Sequence, residues 1–280
     1  MEPMTEEALT EEVVARLDGT PDLRLREVMQ ALVRHLHAFA REVRLTDAEW
    51  IAGIGFLTET GQISDDVRQE FILLSDTLGL SSLVDLINNA NATPGATETT
   101  ILGPFYVPNS PQRAFGDSMI EFDDGGELTT VSGRVLGHDG SPIPNAVLDV
   151  WQNSANGFYA VQQPEVQPPT NLRGIFHTDQ QGRYEFRTVR PKPYPIPADG
   201  PVGHLIDITG RHPWRAAHLH VKVSADGFRS LTTHVFDASS AYLDSDTVFG
   251  VKGSLVADFR PSGDGPLQCS VDFVLTTDQS

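Results

Sequence analysis

Residues 130–151 read TVSGRVLGHDGSPIPNAVLDVW, two runs of alternating apolar and polar residues on either side of a Gly- and Pro-rich turn. Successive side chains of an extended chain point to opposite faces. Thr130 to Val135 and Ala146 to Trp151 therefore predict strands, with HDGSPIPN (138–145) as the turn between them. The same grammar recurs downstream. Arg183 to Thr188, Leu219 to Val223, Leu231 to Phe236 and Val271 to Leu275 read as further strands, punctuated by DQQGR (179–183) and SADG (224–227). Many short strands with such turns predict a β-sandwich rather than a βαβ sheet. No Gly-x-Gly-x-x-Gly follows a strand, which argues against a nucleotide enzyme.

Before Ile101 the period is helical. Thr20-Pro21 offers a cap and a first-turn proline, followed by Leu25, Val28, Leu32, Leu36, Phe39 and Val43 as one apolar stripe. Thr46 and Glu49 form a capping-box pattern before Trp50. Ser64 is the candidate cap of a third helix through Val67, Phe71 and Leu74, stopped by Gly79. A short helix from Leu83 to Ile87 follows, and NNANATPGATETT (88–100) breaks the pattern. The expected organisation is a helical domain over 1–100 and a β-sandwich over 101–280.

Composition excludes several partners. Thirty-eight acidic residues against 20 basic ones give a net charge of -18, which disfavours nucleic acid and anionic membrane surfaces. No stretch approaches the roughly 18 apolar residues of a membrane span. Cys269 is the only cysteine, so neither an intrachain disulfide nor a thiolate metal cage can form. An acidic start, MEPMTEEALTEEV, is unlike a secretory signal, and the expected location is cytoplasmic. Ser154 and Ser254 lack a nucleophile-elbow context.

The chemistry concentrates in two places. If Leu219, Val221 and Val223 form an apolar row, His218, His220 and Lys222 share the opposite face, and the two imidazoles stand side by side. A polar outer face is the plain alternative. His35 and His37 lie on a predicted helix, where residues two apart diverge. The second place is RPKPYPIPADGPVG (190–203), whose five prolines predict neither a central strand nor a helix but a stiff loop around Tyr194. The carboxylate nearest the pair in sequence, Asp226, falls in the SADG turn, and no Glu follows at cupin spacing. Phenolates with neutral imidazoles suit Fe(III). Spacing permits that chemistry without choosing the tyrosines.

Beyond these readings, the chain resembles the intradiol aromatic-ring dioxygenases. TILGPFY, VSGRVLGHDGSPIPNAVLDVWQ, NGFY, GRYEFRTVRPKPYPIP, WRAAHLHV, LTTHVF and DSDTVFGVK carry the resemblance, in order along most of the chain. It implies a mainly β protein: a catalytic β-sandwich with an N-terminal α-helical dimerisation domain, and one Fe(III) per subunit. It further implies Tyr159, Tyr194, His218 and His220 as metal ligands. Tyr194 would be the phenolate that yields to substrate, and Arg215 a cation near the bound ring. His234 stands where catechol-specific relatives carry glutamine. Leu73, Asp76, Leu102, Gly103, Pro104, Phe105, Ile196, Pro197 and Val248 match substrate-pocket positions. The implied partners are a small aromatic diol or triol and O2, with homodimerisation through the N-terminal helices.

PYPIPADGPVG, GRHPWR, LTTHVF and DSDTVFGVK look like the hydroxyquinol-cleaving branch, in which Asp76 could accept a hydrogen bond from a third ring hydroxyl instead of merely solvating its helix end. Catechol or chlorocatechol 1,2-dioxygenase is the alternative within the enzyme class. A non-catalytic transthyretin-like module is the alternative outside it. Ala216, where relatives carry proline, and Val221-Lys222 depart from the family pattern.

Overall fold

The computed structural model describes residues 3–66, 68–90 and 93–278, in two compact units, Met1–Glu59 and Thr60–Ser280. Val67 of the expected third helix and Asn91 and Ala92 of the expected linker lie outside the described residues.

Helix α1 (Glu6–Ala15), absent from the sequence-based expectation, begins where Thr5 Oγ1 accepts from Ala8 N, with Glu6 and Glu7 at the positive end of the helix dipole. In α2 (Leu23–Glu42) the cap is Asp22 rather than Thr20. Its carboxylate accepts from both Arg24 N and Leu25 N, so Pro21 stays outside the helix. Helices α1 and α2 are joined by Thr10 Oγ1, 3.0 Å from His37 Nδ1 and 2.7 Å from Arg41 Nη1. His37 is thus a packing residue. The capping box of α3 (Asp47–Ile63) forms as expected, with Thr46 N donating to Glu49 Oε2 at 2.8 Å and Glu49 N to Thr46 Oγ1 at 3.3 Å. All six residues of the α2 apolar stripe, Leu25 to Val43, are exposed.

The second unit takes in the last turn of α3 and continues with α4 (Glu70–Thr77) and α5 (Leu80–Asn88). Ser64 does not cap α4, because its hydroxyl donates to Thr60 O in the last turn of α3. Gly79, at φ +73°, separates α4 from α5 in the left-handed region that only glycine adopts cheaply.

Twelve strands follow among the described residues: β1 (Leu128–Gly137), β2 (Val147–Trp151), β3 (Arg173–His177), β4 (Arg183–Val189), β5 (Tyr194–Pro195), β6 (Trp214–Arg215), β7 (His218–Ser224), β8 (Leu231–Asp237), β9 (Val256–Ala257), β10 (Arg260–Ser262), β11 (Gly265–Ser270) and β12 (Phe273–Leu275). One sheet runs β10-β11-β1-β12, with β4 also on β1; the other runs β3-β2-β7-β8-β9. Their inner faces meet in one core, Val131, Val135, Tyr184 and Phe186 from the first against Leu148, Val150, Leu219, Val221 and Val223 from the second. Each such aliphatic side chain contributes about 1.5–3 kcal/mol by leaving water. Strand β12 starts two residues later than predicted. The chain first crosses β1 at Gly133, where Val271 N donates to Ser132 O at 3.0 Å and a Cβ at 133 would overlap Val271 O.

The proline-rich segment also departs from expectation. Pro201 opens α6 (Pro201–Ile208), because a first-turn proline forfeits no helical hydrogen bond. Tyr194-Pro195 pairs with Trp214-Arg215 as a two-residue ladder, and Tyr194, Ile196 and Gly200 are buried. The segment thus turns Tyr194 and Ile196 inward while Pro195, Ala198 and Asp199 stay exposed.

Candidate active site

The apolar row of β7 faces the core, as the alternation predicts, and His218 and His220 occupy the other face. That face is not a solvated one, since both imidazoles are 1% exposed. Lys222 follows on the same face, half-buried, with Nζ 5.6 Å from the Tyr106 ring centroid. Strands β2 and β8 flank β7, and the register sets Trp151 and His234 beside His220. Trp151 stacks on the His220 ring at 4.7 Å, and His234 lies 4.2 Å from His220 and 4.5 Å from His218, centroid to centroid.

Two buried phenols reach the same point from other elements. Tyr159 follows the loop after β2, its amide donating to Gln162 Oε1 at 2.9 Å and its ring stacked on Phe105 at 4.5 Å. Tyr194 comes from β5, whose ladder with β6 places it directly opposite Arg215. The four heteroatoms form a chain of contacts. Tyr194 Oη lies 3.3 Å from Tyr159 Oη, Tyr159 Oη 3.0 Å from His220 Nε2, and His220 Nε2 3.1 Å from His218 Nε2. Arg215 Nη1 closes it, 3.3 Å from Tyr194 Oη and 3.2 Å from His218 Nε2.

This donor set fits a cation. His218 Nδ1 lies 2.6 Å from Ala216 O, which fixes the proton on Nδ1 and turns the Nε2 lone pair toward the cluster. Burial, reinforced by Arg215 for His218 and by His234 and His218 for His220, holds both rings neutral, well below the usual histidine range. Burial pushes both phenols up, Tyr159 well above the ordinary tyrosine value with Tyr194 adding to the effect; Arg215 opposes the rise at Tyr194. Two such phenols become phenolates only beside a concentrated positive charge, as a metal ion supplies. Among the described residues, ring nitrogens of His218, His220 and His234 also lie within 4.8 Å of one another. His234 stands outside the 3.0–3.3 Å chain of phenol and imidazole atoms, however.

Arg215 is 2% exposed and held by Asp246, with Nε to Oδ1 3.2 Å and Nη2 to Oδ2 3.4 Å. Burial alone would weaken this cation, and the adjacent carboxylate more than offsets that. Nη1 is left free to face the phenol and imidazole. Asp246 escaped sequence reasoning, although it stands inside DSDTVFGVK; only the ion pair reveals its role. Trp151 was legible only as a strand end.

The remaining expected positions surround this cluster unevenly. Gly103, at φ +76°, lies so close to His220 that a Cβ would sit 3.1 Å from its Cε1. Leu73 and Asp76 lie buried on α4, Ile196 and Val248 are buried, and Pro104 and Pro197 are half-covered. Leu102 is 39% exposed. Asp76 does not solvate its helix end: it is 1% exposed, Oδ2 has no partner, and burial pushes its carboxyl up to about 6.

Comparison with known proteins agrees with this geometry. Residues 22–95 match the family model described as catechol dioxygenase N terminus, and residues 101–277 match the dioxygenase model. The chain is 49% identical over 275 residues to 6-chlorohydroxyquinol 1,2-dioxygenase of Cupriavidus pinatubonensis, covering 98% of this chain and 99% of the relative. It is 51% identical over 255 residues to hydroxyquinol 1,2-dioxygenase of a Rhizobium species, covering 91% and 86%. The solved structure of hydroxyquinol 1,2-dioxygenase from Pseudomonas putida superposes with a TM-score of 0.89 at 47% identity, covering 98% of this chain and 99% of that one. The alternative of a non-catalytic transthyretin-like module has no place in a match of this length. With a β-sandwich that gathers two phenols, two imidazoles and a buried arginine, the chain belongs to the intradiol ring-cleaving dioxygenases.

Proposed function

We propose that this enzyme uses O2 to cleave hydroxyquinol (benzene-1,2,4-triol) between its two vicinal hydroxylated carbons, giving 3-hydroxy-cis,cis-muconate or its keto form maleylacetate. One Fe(III) per subunit would be held by Tyr159, Tyr194, His218 and His220. The observation that carries the proposal is the convergence of four buried donor atoms from three separate elements, each 3.0–3.3 Å from the next. When bound there, a ferric ion would supply Lewis acidity and a template for the diol.

The chain's own groups do the rest. Tyr194 Oη, buried beside the other donors, would be the base that receives a substrate proton. Arg215, oriented by Asp246, offers Nη1 as a fixed cation for negative charge developing on the ring. Phe105, Ile196, Leu73 and Val248 exclude water. The unpartnered Asp76 Oδ2 is an acceptor suited to the third hydroxyl, which favours the triol over catechol or chlorocatechol. The three-histidine grouping is the weaker ligand set, because its ring nitrogens are gathered only to within 4.8 Å, whereas the two phenol oxygens stand 3.0–3.3 Å along the chain from His220 and His218.

The exposed α2 stripe supports a homodimer formed through the helical region, residues 1–100, with 101–280 as the catalytic sandwich. No helix among the described residues is long and apolar enough to cross a membrane. The single, buried thiol of Cys269 suits the cytoplasmic location we propose. O2 uptake with hydroxyquinol, catechol and chlorocatechols, with products identified, tests the substrate assignment. Hydroxyquinol should give the highest kcat/KM. Preference for catechol or a chlorocatechol would move the enzyme to that branch.

A further inference from the structure

Beyond the residues that face the substrate, one side chain ties two walls of the pocket together. Helix α4 forms the first wall with Leu73 and Asp76. The segment 246–250 forms the second with Val248, and also carries the Asp246 that orients Arg215. Arg211 stands between them. Its own amide closes α6 by donating to Ile206 O at 3.1 Å, which fixes where the side chain starts. From there Nη1 donates to Thr77 O at 2.6 Å and Nη2 to Thr247 O at 2.7 Å.

Thr77 O is one of the carbonyls that the last turn of a helix leaves unpaired, and a cation there is favoured by the helix dipole. Thr247 O immediately precedes Val248. The guanidinium is planar, so its two donors hold these acceptors at a fixed spacing that a lysine ammonium cannot reproduce.

The second wall needs such a restraint. Phe249 has φ +58°, a left-handed backbone that costs a non-glycine residue about 1 kcal/mol or more. Arg211 lies over its ring at 5.2 Å. Ser82 Oγ contacts both Val248 O and Phe249 O at 3.1 Å. A Cβ at Gly79 would lie only 3.3 Å from Phe249 Cδ2, so the ring is packed against the α4–α5 turn. Three segments distant in sequence thus meet at one guanidinium, which itself makes no hydrogen bond to Tyr159, Tyr194, His218 or His220.

We propose that Arg211 is a positioning residue that sets the spacing between the Asp76 wall and the Val248 wall, and through it the enzyme's preference for a ring with a third hydroxyl. The inference rests on the triol reading for its substrate readout. Its test uses the iron-loaded enzyme and the variants Arg211→Lys and Arg211→Gln, the second guarding against a folding defect peculiar to the first.

Iron content and the resting visible band should match wild type in both. Anaerobic titration with the triol, followed by the visible band, should show binding weakened about tenfold, the size of one lost positioning contact. In turnover, kcat/KM for the triol should fall about tenfold and that for catechol less than threefold, so that the triol-to-catechol ratio drops. A merely structural arginine would lower both substrates in parallel, and that result, like an unchanged ratio, overturns the proposal. Wild-type enzyme that does not turn over the triol would overturn the function reading and this inference together. Wild type that prefers the triol while both variants keep its ratio overturns this inference alone.

Discussion

The two sides of the active site are built by different means. On one side, His218 and His220 ride on β7, which is clamped between β2 and β8 by continuous ladders, so many backbone hydrogen bonds share the task of placing each imidazole. On the other side, α4, the proline-rich segment and residues 246–250 are held by a few charged side chains. Arg68 reaches Asp199 at 2.8 Å, Glu70 Oε1 accepts from Val202 N at 3.2 Å, and Arg211 and Asp246 act as described above. A ladder tolerates the loss of one bond. A wall pinned by single side-chain contacts does not, and its failures should reach substrate handling before they reach the fold.

Several measurements would sharpen or break that contrast. The largest effect belongs to Arg215, the cation at the junction of the two sides. Arg215→Ala should lose about 100- to 1000-fold in kcat while keeping iron, colour and diol binding, the scale of one fixed charge-stabilising donor. Unchanged turnover would remove it from the chemistry.

Next comes the pH dependence of the wall pinned by side chains. Burial raises the Asp76 carboxyl from the ordinary 3.8 to about 6. The fold therefore holds this proton more tightly than the unfolded chain does. The associated stability is full below pH 3.8 and is lost as pH rises through 6, by an amount on the order of 3 kcal/mol. Denaturant unfolding across that window should show this decline in wild type and not in Asp76→Asn. Parallel curves for the two proteins would mean that Asp76 is not desolvated in solution.

A smaller effect is expected from Glu70, which is 1% exposed and supports α6 from α4. Glu70→Ala leaves the buried Val202 N without its acceptor, while Arg68 keeps Asp199, a loss of about 1–3 kcal/mol. Hydrogen exchange should quicken in residues 201–208 and not in β7. Equal acceleration in β7 would dissolve the distinction between the two sides.

The same distinction explains what could be read in advance. The alternation in 218–223 declared both the core row and the paired imidazoles, because a strand's period is local information. The Thr46 and Glu49 cap was legible for the same reason. The position of Tyr194 was legible only as a stiff proline-rich loop: where it points depends on a two-residue ladder with Trp214-Arg215, which no local pattern announces. Helix α6 was concealed by those prolines, although Pro201 is suited to a first turn. Asp246, Glu70 and Arg211 act on residues that are 31, 132 and 134 positions away. Nothing in a local pattern marks such residues, so Tyr159 and the second wall became visible beforehand only through family resemblance.

The account depends most on two phenolates and two imidazoles sharing one ferric ion. Iron analysis combined with the visible spectrum of the purified, iron-supplied protein tests this directly, with Tyr194→Phe alongside. One iron per chain and a wine-red charge-transfer band that shifts or fades in Tyr194→Phe is the predicted outcome. A folded wild-type protein that stays colourless and takes up no iron would contradict it.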